Sequence, residues 1–103
     1  MYNTHKRSIL ESTHKRSILE IYLDTLKSIM DGERKPTRIM YRTNLSWVPL
    51  QKILNSMITQ GLIIKNENRN KKEFQITEKG MDVIKYFNKI SEMIFIEPEL
   101  RGR

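Results

Sequence analysis

Cysteine is absent from this 103-residue chain, so neither a disulfide nor a thiolate metal site can be built, and a reducing compartment is a compatible setting. Glycine occurs only four times, with no glycine-rich loop to cradle a phosphate. The two histidines, His5 and His14, have no second histidine or carboxylate at metal-ligand spacing and read as surface residues. Long hydrophobic runs are missing too. The longest, Leu62 to Ile64 and Met93 to Ile96, fall far short of the roughly 18 to 20 residues that span a bilayer, and the N-terminus has no apolar signal core. A soluble, cytoplasmic protein with no membrane partner is expected. The carboxylates Asp24, Asp31 and Glu33 lie on or beside an amphipathic helix, with no apolar cleft to perturb them. No catalytic constellation emerges, so an enzyme is not expected, and no cofactor, metal or small-molecule effector is evident.

Positive charge is what the chain has in excess. Nineteen Lys and Arg against 12 Asp and Glu give a net charge of +7 and a pI of about 9.8, a field that attracts nucleic acid or an anionic surface. The length suits one domain.

A direct repeat opens the chain: Thr4 to Ser12 (THKRSILES) is followed at once by Thr13 to Ile21 (THKRSILEI). Nine residues turn a helix by roughly 180°, so only one Ile-Leu pair can face a core. The second copy is the expected one, because Leu19, Tyr22, Leu23, Leu26, Ile29 and Met30 continue it at helical spacing. A first helix is expected from near Thr13 to Met30, with Ser17 and Glu20 at capping-box spacing as one possible start. Residues 1–12 are then a basic tail or an extension of that helix.

Pro36 opens a short second helix, with Ile39, Met40 and Tyr41 as apolar positions, ending near Asn44. Ser46 is a candidate N-cap for a third helix, which carries Leu50, Ile53, Leu54, Met57 and Ile58 and stops at Gly61. Leu62 to Ile64 and Phe74 to Ile76 then read as strands around a polar turn from Asn66 to Lys72. Thr77 and Glu78 start a last helix running to Ile94 or Ile96, before Pro98 and Gly102.

This order is that of a helix-turn-helix followed by a hairpin wing. Arg16-Ser17 with Glu20-Ile21, the string Thr37 to Ser46 (TRIMYRTNLS), Gly61-Leu62-Ile63 and Thr77 to Gly80 (TEKG) resemble the small winged-helix regulators of archaea, their plasmids and their viruses. The resemblance covers roughly residues 16 to 90. It departs at Thr43, where that family commonly has alanine, and at Trp47, where tyrosine is usual. The resemblance implies an α+β, mainly α winged helix-turn-helix with a two-stranded wing, DNA as ligand, and a dimer joined through the last helix, in an archaeal or infected host cell. The expected division is a DNA-binding domain over 13–80, a dimerisation helix over 81–97 and a tail over 98–103.

Independently of that likeness, angular stepping along residues 46–60 separates the apolar positions from Val48, Gln51, Lys52, Asn55, Ser56 and Thr59. Gln and Asn pair with adenine and Lys with guanine in a major groove, so Gln51, Asn55 and Lys52 are candidate base contacts. Ser46, Val48 and Ser56 join them as DNA contacts on the helix, while Trp47 at its edge is expected mainly to pack, with a phosphate contact through its N–H as the alternative. No Asp or Glu occurs from Asn44 to Lys65. In the wing, spanning 65–73, Arg69, Lys71 and Lys72 suit phosphates or a minor groove, and Arg38 and Arg42 of the second helix are further phosphate candidates. An ordinary solvated face and a charged hairpin tip kept for solubility are the plainer alternatives.

Val83, Phe87, Ile90 and Ile94 recur at coiled-coil spacing, and with Tyr86 they form the expected homodimer interface. The expectation is a homodimeric, sequence-specific regulator of double-stranded DNA. A non-specific architectural DNA binder and a protein-interaction module are the competing readings, the latter weakened by the positive face and wing.

Overall fold

The computed structural model describes residues 17–94. The first repeat copy, both histidines, the Thr13 start and residues 95–103 lie outside them. Helix α1 (Ile18–Met30) begins at a reciprocal capping box. The Ser17 hydroxyl accepts from the Glu20 amide at 3.0 Å, and the Glu20 carboxylate accepts from the Ser17 amide at 2.9 Å. There follow α2 (Pro36–Thr43), α3 (Trp47–Thr59), the antiparallel strands β1 (Ile63–Asn68) and β2 (Lys71–Ile76), and α4 (Glu78–Met93). The expected winged arrangement is therefore present.

The first three helices end alike. Gly32, Asn44 and Gly61 take positive φ of 110°, 58° and 76°. At each, the amides of that residue and the next turn back to carbonyls of the last helical turn, as in Gly61 to Ile58 and Leu62 to Met57. Such an ending satisfies the free carbonyls and reverses the chain, which drives Leu45 and Leu62 into the interior. There they join Ile21, Leu26, Ile29, Ile39, Leu50, Ile53, Leu54, Met57, Ile63, Phe74 and Ile84 in one buried cluster. Each large aliphatic side chain so buried contributes roughly 1.5 to 3 kcal/mol before entropy is counted.

The buried face of α1 differs from the expected stripe. Leu19 is 56% exposed and Met30 is exposed, while Ile21, Thr25 and Ser28 are buried. A reading by hydrophobic period passes over Thr25 and Ser28. Thr25 is accommodated because its hydroxyl donates to the Ile21 carbonyl at 2.8 Å. On α2, Tyr41 faces solvent, 79% exposed, rather than the core. Thr43 is buried and donates to the Ile39 carbonyl at 2.7 Å, so this departure from the family pattern alters packing and does not touch an outer face.

The turn of the hairpin is also shorter than expected. Strand pairing continues to Asn68 opposite Lys71, leaving only Arg69 and Asn70, both at positive φ (52° and 73°), as the tip. Two left-handed residues match the twist of the flanking strands, but the pair lacks the glycine that usually signals such a turn. The Phe74 amide donates to the Arg34 carbonyl at 2.8 Å, tying the wing to the α1–α2 linker. At the wing's base, α4 passes so close that a Cβ on Gly80 would strike the Leu62 carbonyl and the Ile76 side chain.

Candidate nucleic-acid interface

Helix α3 sorts its residues by angle. Leu50, Ile53, Leu54 and Met57 are buried and Ile58 is half-buried, whereas Ser46, Val48, Gln51, Lys52, Asn55 and Thr59 are exposed. Ser56 is the exception to the expected outer face. It is half-buried, and its hydroxyl lies 2.8 Å from the Tyr22 hydroxyl and 2.9 Å from Gln60 Nε2, which also donates to Tyr22 at 2.8 Å. This triangle fastens the far end of α3 to α1. Only the Ser56 to Gln60 spacing hinted at it, because Tyr22 comes from a distant part of the chain. Trp47 is 40% exposed and is not part of the buried cluster, so it packs only in part. As the first residue of the helix it precedes the turn that reaches the core.

Other groups reinforce the same anchor. Lys79 Nζ donates to the Gln60 carbonyl at 2.8 Å, placing a cation at the negative end of α3. The Thr77 hydroxyl lies 2.6 Å from the Gly61 carbonyl and 3.0 Å from that of Leu62, and accepts from the Gly80 amide as the cap of α4.

The N-termini of the two middle helices contrast with this. Ser17 and Thr77 cap α1 and α4 through their side chains, but neither Lys35 before α2 nor Ser46 before α3 makes a side-chain capping bond. First-turn amides and the positive end of the helix dipole are thus uncapped on the two helices of the helix-turn-helix, an arrangement suited to anions. Beside α2 the fold opens a groove of about 340 Å³ lined by Lys35, Pro36, Thr37, Asn70, Lys71 and Lys72. It joins the helix start to the wing tip across more than thirty positions of sequence, and sequence reasoning did not foresee it.

The wing cations divide between faces. Lys72 lies opposite Glu67 on the face that carries Phe74, Lys71 lies opposite Asn68 on the other, and Arg69 occupies the turn. Lys65 at the base approaches Glu67 at 4.0 Å.

Arg38 and Arg42 are brought together, but against acids. Arg42 contacts Asp31 at 3.1 Å and Glu33 at 3.2 Å, and Arg38 contacts Glu33 at 3.5 Å. Hydrogen bonds donated to Asp31 first and Glu33 second raise the Arg42 guanidinium above its ordinary value, so it stays charged throughout the physiological range. These two arginines brace the corner between α1 and α2.

On α4, Ile84 is buried and Val83 packs half-buried against its own domain, whereas Tyr86, Phe87, Ile90 and Met93, and Ile94 just past the helix end, stand exposed. A second groove of about 450 Å³ lies between Met30 and the Met81, Ile84 and Lys85 side of this helix. Among the described residues no helix is long and apolar enough to cross a membrane, and no group of three or more metal-ligating side chains assembles.

The sequence model for the winged helix-turn-helix matches residues 15–95. The chain belongs to the winged helix-turn-helix family. An uncharacterized protein of Methanocaldococcus jannaschii is 34% identical over 79 residues, 77% of either chain. Among solved structures, this winged-helix chain is similar to Sso10a-2, described as a DNA-binding protein from Sulfolobus solfataricus. That likeness has a TM-score of 0.63 at 23% identity, over 80% of this chain and 100% of the other. F93 from STIV, described as a winged-helix DNA-binding protein, gives 0.61 at 19% identity over 76% and 92%. At such identities the shared property is the fold.

Proposed function

We propose that this winged-helix protein is a transcription regulator that binds double-stranded DNA in a sequence-specific manner as a homodimer. The observation that carries the reading is the outer face of α3. Gln51, Lys52 and Asn55 form an exposed polar stripe with a positive charge, in a stretch from Asn44 to Lys65 free of carboxylates, beside a basic wing. In the major groove Gln51 and Asn55 serve adenine edges and Lys52 a guanine edge, while Arg69, Lys71 and Lys72 follow the backbone. The uncapped starts of α2 and α3 add amide donors for phosphate. DNA binding in the similar proteins Sso10a-2 and F93 supports this choice of ligand.

Residues 13–80 form the DNA-binding unit in this proposal, and residues 81–97 supply the dimer contact through Phe87, Ile90 and Ile94, with Tyr86 alongside and Val83 at the edge. An exposed apolar helix face of this extent favours a partner surface. Two-fold pairing presents two reading helices to half-sites about one helical turn apart, so the operator is roughly palindromic. Selection of bound sequences from a random duplex pool tests the proposal. A shared two-fold motif that survives competition by unrelated duplex at physiological salt supports it. Retention without any motif identifies an architectural binder, and absence of binding at low salt overturns the proposal.

A further inference from the structure

The outer face of α3 carries one aliphatic side chain that nothing in the domain explains. Val48 is 58% exposed in the first turn, on the face that carries the polar Gln51, Lys52 and Asn55. Packing does not retain it there, and neither does helix formation. A β-branched residue is a poor helix former, and the position before proline, here Pro49, is biased away from helical geometry. An unbranched polar residue such as Gln, Glu or Lys would be locally easier. Gln51 and Lys52 stand one turn further along the same face, so whatever meets those two side chains also meets Val48.

We infer that Val48 is a specificity-determining residue that recognises the C5 methyl group of a thymine. This deepens the DNA-binding reading and rests on it. Base edges on the floor of the major groove offer donors, acceptors and a single kind of apolar group, the thymine methyl. An aliphatic side chain has no use for the first two. The N-terminal turn of a recognition helix is also the part that reaches base edges, and Val48 occupies that turn. The half-site therefore contains a thymine beside the bases read by Gln51 and Lys52, on either strand.

The test uses the full chain and its selected duplex. Each thymine is replaced in turn by deoxyuridine, which removes the methyl and leaves every hydrogen-bonding group in place. One position per half-site should weaken the wild-type chain by about fourfold, the worth of one buried methyl. Val48→Ala, which favours the helix and cannot disturb the core, should bind thymine and deoxyuridine equally there while keeping its sensitivity at other positions. Placing 5-methylcytosine opposite guanine at that position should restore part of the wild-type affinity relative to cytosine. Wild-type indifference to deoxyuridine at every position, or an undiminished penalty in Val48→Ala, overturns this assignment and leaves DNA binding standing. Absence of binding to any duplex removes both.

Discussion

The C-terminal end of α3 is held by Tyr22, Lys79 and the Thr77 cap, whereas Ser46 makes no side-chain cap at its N-terminal end and Trp47 and Val48 are exposed there. One helix is thus saturated with protein partners at one end and left open at the other. The difference teaches that anchoring and reading are separated along the helix axis. Rigidity comes from contacts that no ligand needs to displace, and the groups suited to a ligand are those the fold leaves unused.

The sharpest way to break this comparison is at the anchor. Gly80→Val should drive side-chain carbon into the Leu62 carbonyl and Ile76, costing about 3 kcal/mol in denaturant unfolding and loosening the junction of α3, wing and α4. Native stability in that variant would show that the junction yields freely. At the open side, Arg69→Ala combined with Lys72→Ala should leave stability within about 0.5 kcal/mol and weaken binding to all duplexes alike, flattening the log–log salt dependence by roughly one to two units. An unchanged slope in salt-titrated binding would remove the wing from the interface.

Smaller effects sharpen the contrast. Thr77→Ala should cost about 1 to 2 kcal/mol, because a working cap is lost, while Ser46→Ala should change stability by less than about 0.5 kcal/mol, because Ser46 caps nothing. Equal losses in thermal or chemical unfolding would abolish the distinction between the two ends. Tyr22→Phe leaves Ser56 and Gln60 bonded to each other and should cost only about 1 kcal/mol, without altering base preference in the selected duplex.

Much of this architecture was legible beforehand. Punctuation at Ser17, Pro36, Gly61 and Thr77 marked the element boundaries because caps and left-handed endings are local properties of a few residues. The outer face of α3 was legible for a similar reason, since angular order on a helix follows from spacing alone. Legibility failed where partners are distant. Ser56 was assigned outward, but Tyr22 draws its hydroxyl inward. The acidic partners of Arg38 and Arg42, which are candidate phosphate contacts by sequence, were not legible, because only the ending of α1 delivers Glu33 and Asp31 to them. The tip of the wing was read as a long polar loop, because strand pairing from Asn66 to Asn68 depends on residues across the hairpin and not on the segment's own polarity.

By itself, then, the order of residues determined the order of the elements, the endings of the first three helices and the polar stripe on α3, all consequences of backbone preferences and periodicity over a few neighbouring positions. Tertiary structure alone decided which face of α1 is buried, which cations keep acidic partners, and how the start of α2 meets the wing tip. Those outcomes depend on which groups from remote parts of the chain come within hydrogen-bonding or packing distance, and no local pattern encodes that.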